Sequence, residues 1–301
     1  MRTSFEEEAR EMREPAAPAT PPSLDALMPP EMAVKSLDIG VAKARMSFLR
    51  TFSLAVLAGA FIALGAMLAT TALAGAAEEI PFGVSRLLAG LVFSLGLILV
   101  VVAGAELFTG NNLIVIAWAD GRVGVATMLR NWGIVYLGNL VGALGTVALV
   151  YAGGQYEFGE GAVGAAALAT AETKTSLGFG QAVALGIMCN ALVCLAIWLT
   201  YSARSVTDKI LAVIFPISAF VAAGFEHSVA NMYFLPMGLL IHDNGSDAFW
   251  EASGKSPDEF PDLSWANAIV DNLVPVTIGN IIGGSLMVGL VYWLIYVRTK
   301  T

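Results

Sequence analysis

The side chain best suited to chemistry in this sequence is His227, set in the word Phe225-Glu226-His227-Ser228-Val229-Ala230-Asn231-Met232, an imidazole between a carboxylate and an amide in apolar surroundings. Histidine exchanges protons near neutral pH, its unperturbed pKa being about 6.5. A lone histidine in an apolar run can equally be hydrogen-bonded packing, but with Glu226 and Asn231 beside it the functional reading is the stronger. A related word stands 120 residues earlier (224 minus 104), Gly104-Ala105-Glu106-Leu107-Phe108-Thr109-Gly110-Asn111-Asn112, so that both read G-x-E-x-x-x-x-N. Thr109, at the place where the second copy has Val229, offers a hydroxyl that can donate to an anion or to an imidazole. An acidic side chain at the centre of a membrane helix costs about 2.5–3.5 kcal/mol on insertion scales. Two such words need a purpose, and a passage for a polar solute supplies one.

The elements that position these words are membrane helices. Hydrophobic residues make up 57% of the chain and charged residues 13%, against roughly 25% charged in soluble domains. Counting runs of about 20 apolar residues gives six segments, roughly 49–74, 87–118, 132–152, 178–200, 210–241 and 268–296. The second and fifth are too long and carry the polar words. They read as broken helices, because irregular backbone at membrane depth survives only where protein or a water-filled cavity satisfies its polar groups. Pro216, Gly110 and Gly224 mark the expected breaks or kinks. A second echo, Gly138-Asn139-Leu140-Val141-Gly142 and Gly279-Asn280-Ile281-Ile282-Gly283, gives the third and sixth segments small faces for close helix contact. The fold class expected is all-α integral membrane, six helices as an inverted three-plus-three repeat over about 49–152 and 178–296, which brings the two words together at the midplane.

Thirteen of the sixteen lysines and arginines fall on one side of this arrangement, leaving Arg86, Lys174 and Lys255 on the other, so both termini are expected in the cytoplasm. The net charge of −8 comes mainly from the N-terminal glutamates and an acidic loop at about 242–267; there is no basic patch for nucleic acid. Residues 1–29 are proline-bearing, lack a cleavable signal and are expected to be a disordered tail. From Pro30 an amphipathic stretch follows, either lying on the membrane or leading into the first span, and the channel domain runs over 30–297 with 298–301 as a short cytoplasmic end. Cys189 and Cys194 sit in an apolar segment and read as small buried residues. No cofactor and no metal are expected.

The words Glu106-Leu107-Phe108-Thr109, Phe225 to Met232 and Asp271-Asn272-Leu273-Val274-Pro275-Val276-Thr277-Ile278-Gly279-Asn280 resemble those of the formate/nitrite transporter family, in order and spacing, from about residue 30 to 297. The resemblance implies homopentamers of aquaporin-like protomers in the inner membrane, each with a pore for a small monovalent anion or its acid, with formate favoured, and nitrite, hydrosulfide, acetate or lactate as alternatives. It implies His227 as the central pore histidine and Thr109 as part of a mobile loop facing it. It draws Asn190 and Asn280 to the pore. Lys174, which sequence alone reads as a solvated loop lysine, becomes by resemblance an outer-vestibule residue attracting anions. By composition Phe93, Leu97, Leu107, Phe108, Val193 and Phe220 are ordinary core; by resemblance several form two apolar slits flanking the histidine. Glu106 and Glu226 would repel an anion and read as structural, accepting hydrogen bonds from the N–H groups of the broken helices.

Three rivals are weaker. A neutral-solute channel of the aquaporin type would show paired Asn-Pro-Ala words, and none occurs. An intramembrane enzyme using His227 and Glu226 lacks a second ligand at helical spacing or a zincin word. A purely structural membrane assembly protein is the third, and ion flux in liposomes would discriminate it at once.

Overall fold

The computed structural model describes residues 25–298, and every secondary-structure element among them is a helix. The expected tail falls outside the described residues up to residue 24. Helix α1 is Pro29–Ala44 and α2 is Phe48–Leu73; α3 runs Phe82–Gly104, its last turn widened to π geometry over Val100–Gly104. After three extended residues the short apolar helix α4, Phe108–Ala119, follows. Then come α5 (Val125–Ala152), α6 (Ala162–Thr175), α7 (Phe179–Ser202) and α8 (Val206–Ala222). A second interruption separates α8 from α9 (Ser228–Asn244), and α10 spans Trp265–Val297. Five of these, α2, α3, α5, α7 and α10, are long and apolar enough to cross a membrane. Their outer faces carry exposed Leu57, Leu91, Leu137, Leu149 and Leu286, as a surface bathed in hydrocarbon requires.

The helices meet backbone to backbone. A Cβ on Gly142 would run into the Val56 carbonyl and one on Gly59 into that of Asn139, joining α2 to α5; Gly279 and Gly283 meet the carbonyls of Val183 and Ile187, joining α7 to α10. These are the small faces expected from the Gly-Asn-x-x-Gly echo.

Four expectations need correction. The first break is not at Gly110, which lies inside α4; the chain turns at Gly104 (φ +82°), as it does at Gly224 (φ +75°) in the second. Only glycine adopts such angles without strain. Pro216 marks no break, since it sits inside the continuous α8. The segment before α7 is not a loop: the alanine-rich run 162–175 is helical, as its propensity favours, and carries Lys174 in its last turn. Helix α1 does not spread its apolar face on lipid. It buries Met32, Ala33, Leu37 and Gly40, and Gly40 lies directly against Ile114 and Ala117 of α4.

Candidate functional site

At each break the chain leaves a helix by the same steps. The Ala105 N–H donates to the Val100 carbonyl (2.9 Å) and that of Glu106 to Leu54 of α2 (3.2 Å); the Phe225 N–H donates to Phe220 (3.0 Å) and that of Glu226 to Leu185 of α7 (3.3 Å). One buried amide then closes each break. Asn139 Oδ1 accepts from the Phe108 N–H (2.9 Å) while its Nδ2 donates to the carbonyls of Ala55 (2.8 Å) and Glu106 (2.9 Å). Asn280 does the same with the Ser228 N–H (2.9 Å) and the carbonyls of Gly186 and Glu226 (both 2.9 Å). Main-chain groups that a missing helical turn would orphan are thus satisfied without water.

The two carboxylates do not cap these N–H groups, as the sequence reading held. Each is neutralised by a lysine and sits in a cluster with two asparagines, Glu226 bonded to both and Glu106 to one of them. Glu106 Oε1 accepts from Lys43 Nζ (2.6 Å) and Oε2 from Asn111 (2.7 Å), whose Nδ2 also donates to Asn131 (2.9 Å). Glu226 Oε1 accepts from Lys174 Nζ (2.7 Å) and Oε2 from Asn231 (2.7 Å) and Asn272 (3.1 Å). The physical reason is charge: a carboxylate this buried needs an opposite charge nearby more than it needs a neutral donor.

Between the breaks lies His227. It is buried, and the backbone N–H of Ala230 donates to its Nδ1 (3.0 Å), so the ring serves as N-cap of α9. With Nδ1 an acceptor, the proton of the neutral ring sits on Nε2, and Nε2–H donates to Thr109 Oγ1 at 3.0 Å. Thr109 is in the first turn of α4. The Phe220 ring stacks on the imidazole (centroids 5.8 Å apart, planes at 19°), with Phe93 edge-on to Phe220 at 5.6 Å. A chamber of about 50 Å³ lined by Phe93, Phe220, Phe234 and His227 opens beside them.

Two vestibules flank this core at opposite ends of α2. One, about 400 Å³, is lined by Lys35, Lys43, Arg50, Glu106, Leu107 and Lys209; burial, with Arg204 and Lys209 nearby, holds the Lys35 amine below its usual pKa. The other, about 820 Å³, is lined by Arg86, Glu160, Lys174, Glu226 and Lys255 together with Leu73. Arg50 and Leu73, one at each mouth, are 23 residues apart (73 minus 50) on α2, about 35 Å at helical rise. The arrangement is two bowls with cationic side chains in their walls and, adjoining the second, a small largely apolar chamber with one ionisable ring in it.

The family profile described as Formate/nitrite transporter matches residues 30–294. This chain belongs to the formate/nitrite transporter family. Within it, the chain is 49% identical to the formate channel FocA of Escherichia coli (strain K12) over 274 residues, 91% of this chain and 96% of that protein. It is 42% identical to FocA of Haemophilus influenzae over 264 residues, covering 88% and 93%. Among solved structures it resembles a pentameric formate channel with formate bound, at 46% identity and a TM-score of 0.79, covering 83% of this chain and 97% of that one.

For this formate/nitrite transporter, the site residues anticipated from sequence divide into two sets. His227, Thr109, Phe93 and Phe220 come together at the imidazole, with Asn190 behind, donating to the carbonyls of Thr109 (3.3 Å) and Asn280 (2.6 Å) and to Asn112 Oδ1 (2.7 Å). Leu107 lines the vestibule on the α1 side, and Leu97 and Val193 are buried. Asn280 does not present its amide to a pore, because both ends are used by main chain. Phe108 packs on Tyr136 (4.9 Å) and Trp132 (6.3 Å) of α5, and Thr109 stands in a helix rather than a loop. The lysine Lys43 and the amides Asn131, Asn139 and Asn272 were missed. An audible signal existed: Asn131 and Asn139 are eight apart, and so are Asn272 and Asn280, a spacing that puts both members on one helix face.

Proposed function

We propose that this chain is a formate channel of the cell's inner membrane, working as a homopentamer in which each protomer encloses its own pore. The observation that carries the reading is the His227 ring, held between Thr109 and the Phe93–Phe220 pair in a chain 49% identical to a named formate channel. In this reading residues 30–297 form the channel domain, with 49–152 and 178–296 as oppositely oriented copies. Helices α3–α4 and α8–α9 are the broken spans. Both termini and the α1 vestibule face the cytoplasm, following the lysine and arginine bias.

The chemistry follows from the ring's bonding. A formate anion that reaches His227 displaces Thr109 Oγ1 as acceptor of Nε2–H, and the threonine hydroxyl turns to donate to it. Shedding water costs an ion several kcal/mol in an apolar slit, and the neutral acid far less. A neutral His227 cannot pay that difference by giving up its proton, since an imidazolate would remain. A second proton must first reach Nδ1, releasing the Ala230 N–H; the imidazolium then transfers its Nε2 proton to formate, leaving a neutral ring and formic acid. One proton and one formate cross together, and this route grows as pH falls because it begins with a doubly protonated ring. At neutral pH the anion crosses on the Nε2–H hydrogen bond alone.

Formate flux through purified protein in liposomes tests the reading, with nitrite, acetate, lactate and hydrosulfide as competitors. Saturable formate flux, accompanied by proton uptake that rises on acidification, is expected. No selective anion flux would end the channel reading; stronger competition by nitrite than by formate itself would reassign the cargo.

A further inference from the structure

Arg86 stands where the larger vestibule narrows into the His227 chamber: it lines both cavities, as do Leu73, Thr170, Lys174 and Phe225. Of the two cations in that set, Lys174 is already committed. Its ammonium is 2.7 Å from Glu226 Oε1 and lies over the Phe234 ring at 5.3 Å. Lys255 at the rim pairs with Glu259 at 3.0 Å. Arg86 forms no ion pair with the described residues. Its Nη2 donates to the Val221 carbonyl at 2.7 Å, at the C-terminal end of α8, where a helix places partial negative charge and a cation is welcome.

Building on the channel reading, we propose that Arg86, rather than Lys174, is the residue that docks the anion at the mouth of the His227 chamber. A guanidinium carries five N–H donors in a planar fork, so one bond to a carbonyl anchors the group and leaves donors for a carboxylate or a comparable small anion. Being anchored, it is oriented before the anion arrives. The two faces of the channel then differ. On the α1 side Lys35, Arg50 and Lys209 line the vestibule besides the paired Lys43, so no single cation decides entry; on the α6 side one does.

The test varies formate on one face at a time, in single-channel or flux recordings of the full-length protein. Arg86→Gln raises the half-saturating formate concentration on the α6 face about tenfold and flattens its dependence on salt, the size expected when a steering charge is lost, while the other face stays within about twofold. Arg86→Cys behaves alike until a cationic, membrane-impermeant thiol reagent restores the charge from that face; an anionic reagent does not restore it. Cys189 and Cys194 are fully buried and do not compete. An α6-face half-saturation unchanged in Arg86→Gln, or equal responses to both reagents, overturns the inference while leaving the channel intact. If the glutamine variant does not assemble, the native protein decides: α6-face half-saturation indifferent to salt overturns the inference. A native protein without formate flux removes the channel reading itself.

Discussion

The break after α3 and the break after α8 are built from the same parts, a glycine in left-handed conformation, an asparagine closing three main-chain groups, and a lysine–glutamate pair tied to two more asparagines. They differ at their tips. Where the first has Leu107, Phe108 and Thr109, the second has His227, Ser228 and Val229. The Phe108 ring is absorbed by Trp132 and Tyr136, and Leu107 faces a vestibule, while His227 reaches across to Thr109. The shared scaffold shows what interrupting a buried helix demands, and the tips show where chemistry is free to vary. A second difference is exposure. The Lys43 side chain retains 27% of its accessible surface and Lys174 only 13%, so the pair of the second break is the drier.

The comparison can be broken most severely at His227. Phenylalanine there removes the cap of α9 and the Nε2 donor together, and formate flux is expected to fall at least tenfold, a rise of about 1.4 kcal/mol or more in the barrier. His227→Asn keeps a capping acceptor but exchanges no proton, so the rise of proton-coupled flux on acidification should vanish while the fold survives. A flux–pH profile matching the native one in either variant would remove the imidazole from the mechanism.

Next come the ion pairs. Lys174→Met leaves a buried carboxylate without its partner, a change that costs about 3–5 kcal/mol in comparable sites; Lys43→Met should cost distinctly less, since water still reaches that pair. Thermal unfolding in detergent reads the difference, and the double variant Lys174→Met/Glu226→Gln should recover part of it. Equal losses at the two lysines would erase the distinction in dryness.

Asn139→Ala and Asn280→Ala should destabilise by similar amounts, about 1–3 kcal/mol each for the groups left unsatisfied, because the two amides make matching bonds. The mildest change is Thr109→Val, which makes the first tip resemble the second. Losing one acceptor, worth about 0.5–1.5 kcal/mol, it should lower flux two- to tenfold without altering assembly.

Family membership and the approximate spans of the long apolar helices were legible because apolar run length and the words around Glu106 and Glu226 are strong local signals. The first break was misplaced at Gly110 because a glycine inside a word attracts attention, whereas the residue that needs a positive φ, Gly104, is the one opening it. The partners of the carboxylates were not legible. Lys43 lies 63 residues before Glu106, and Lys174 lies 52 before Glu226; nothing in a linear pattern says that α1 folds back to supply a counter-charge. Lys174 itself was noticed, but its commitment to Glu226 depends on packing that brings α6 onto α9. Arg86 carried no motif and acquires meaning only from the two cavities it borders.

Main-chain contact at Gly59, Gly142, Gly279 and Gly283 has a mechanical consequence. Helices that touch through their backbones have no side-chain cushion to compress, so in the proposed channel the walls they form would act as a fixed gauge. A bulkier cargo cannot be accommodated by spreading them. Retuning what passes therefore means trimming or lengthening the rings and aliphatic tips that project inward, one carbon at a time.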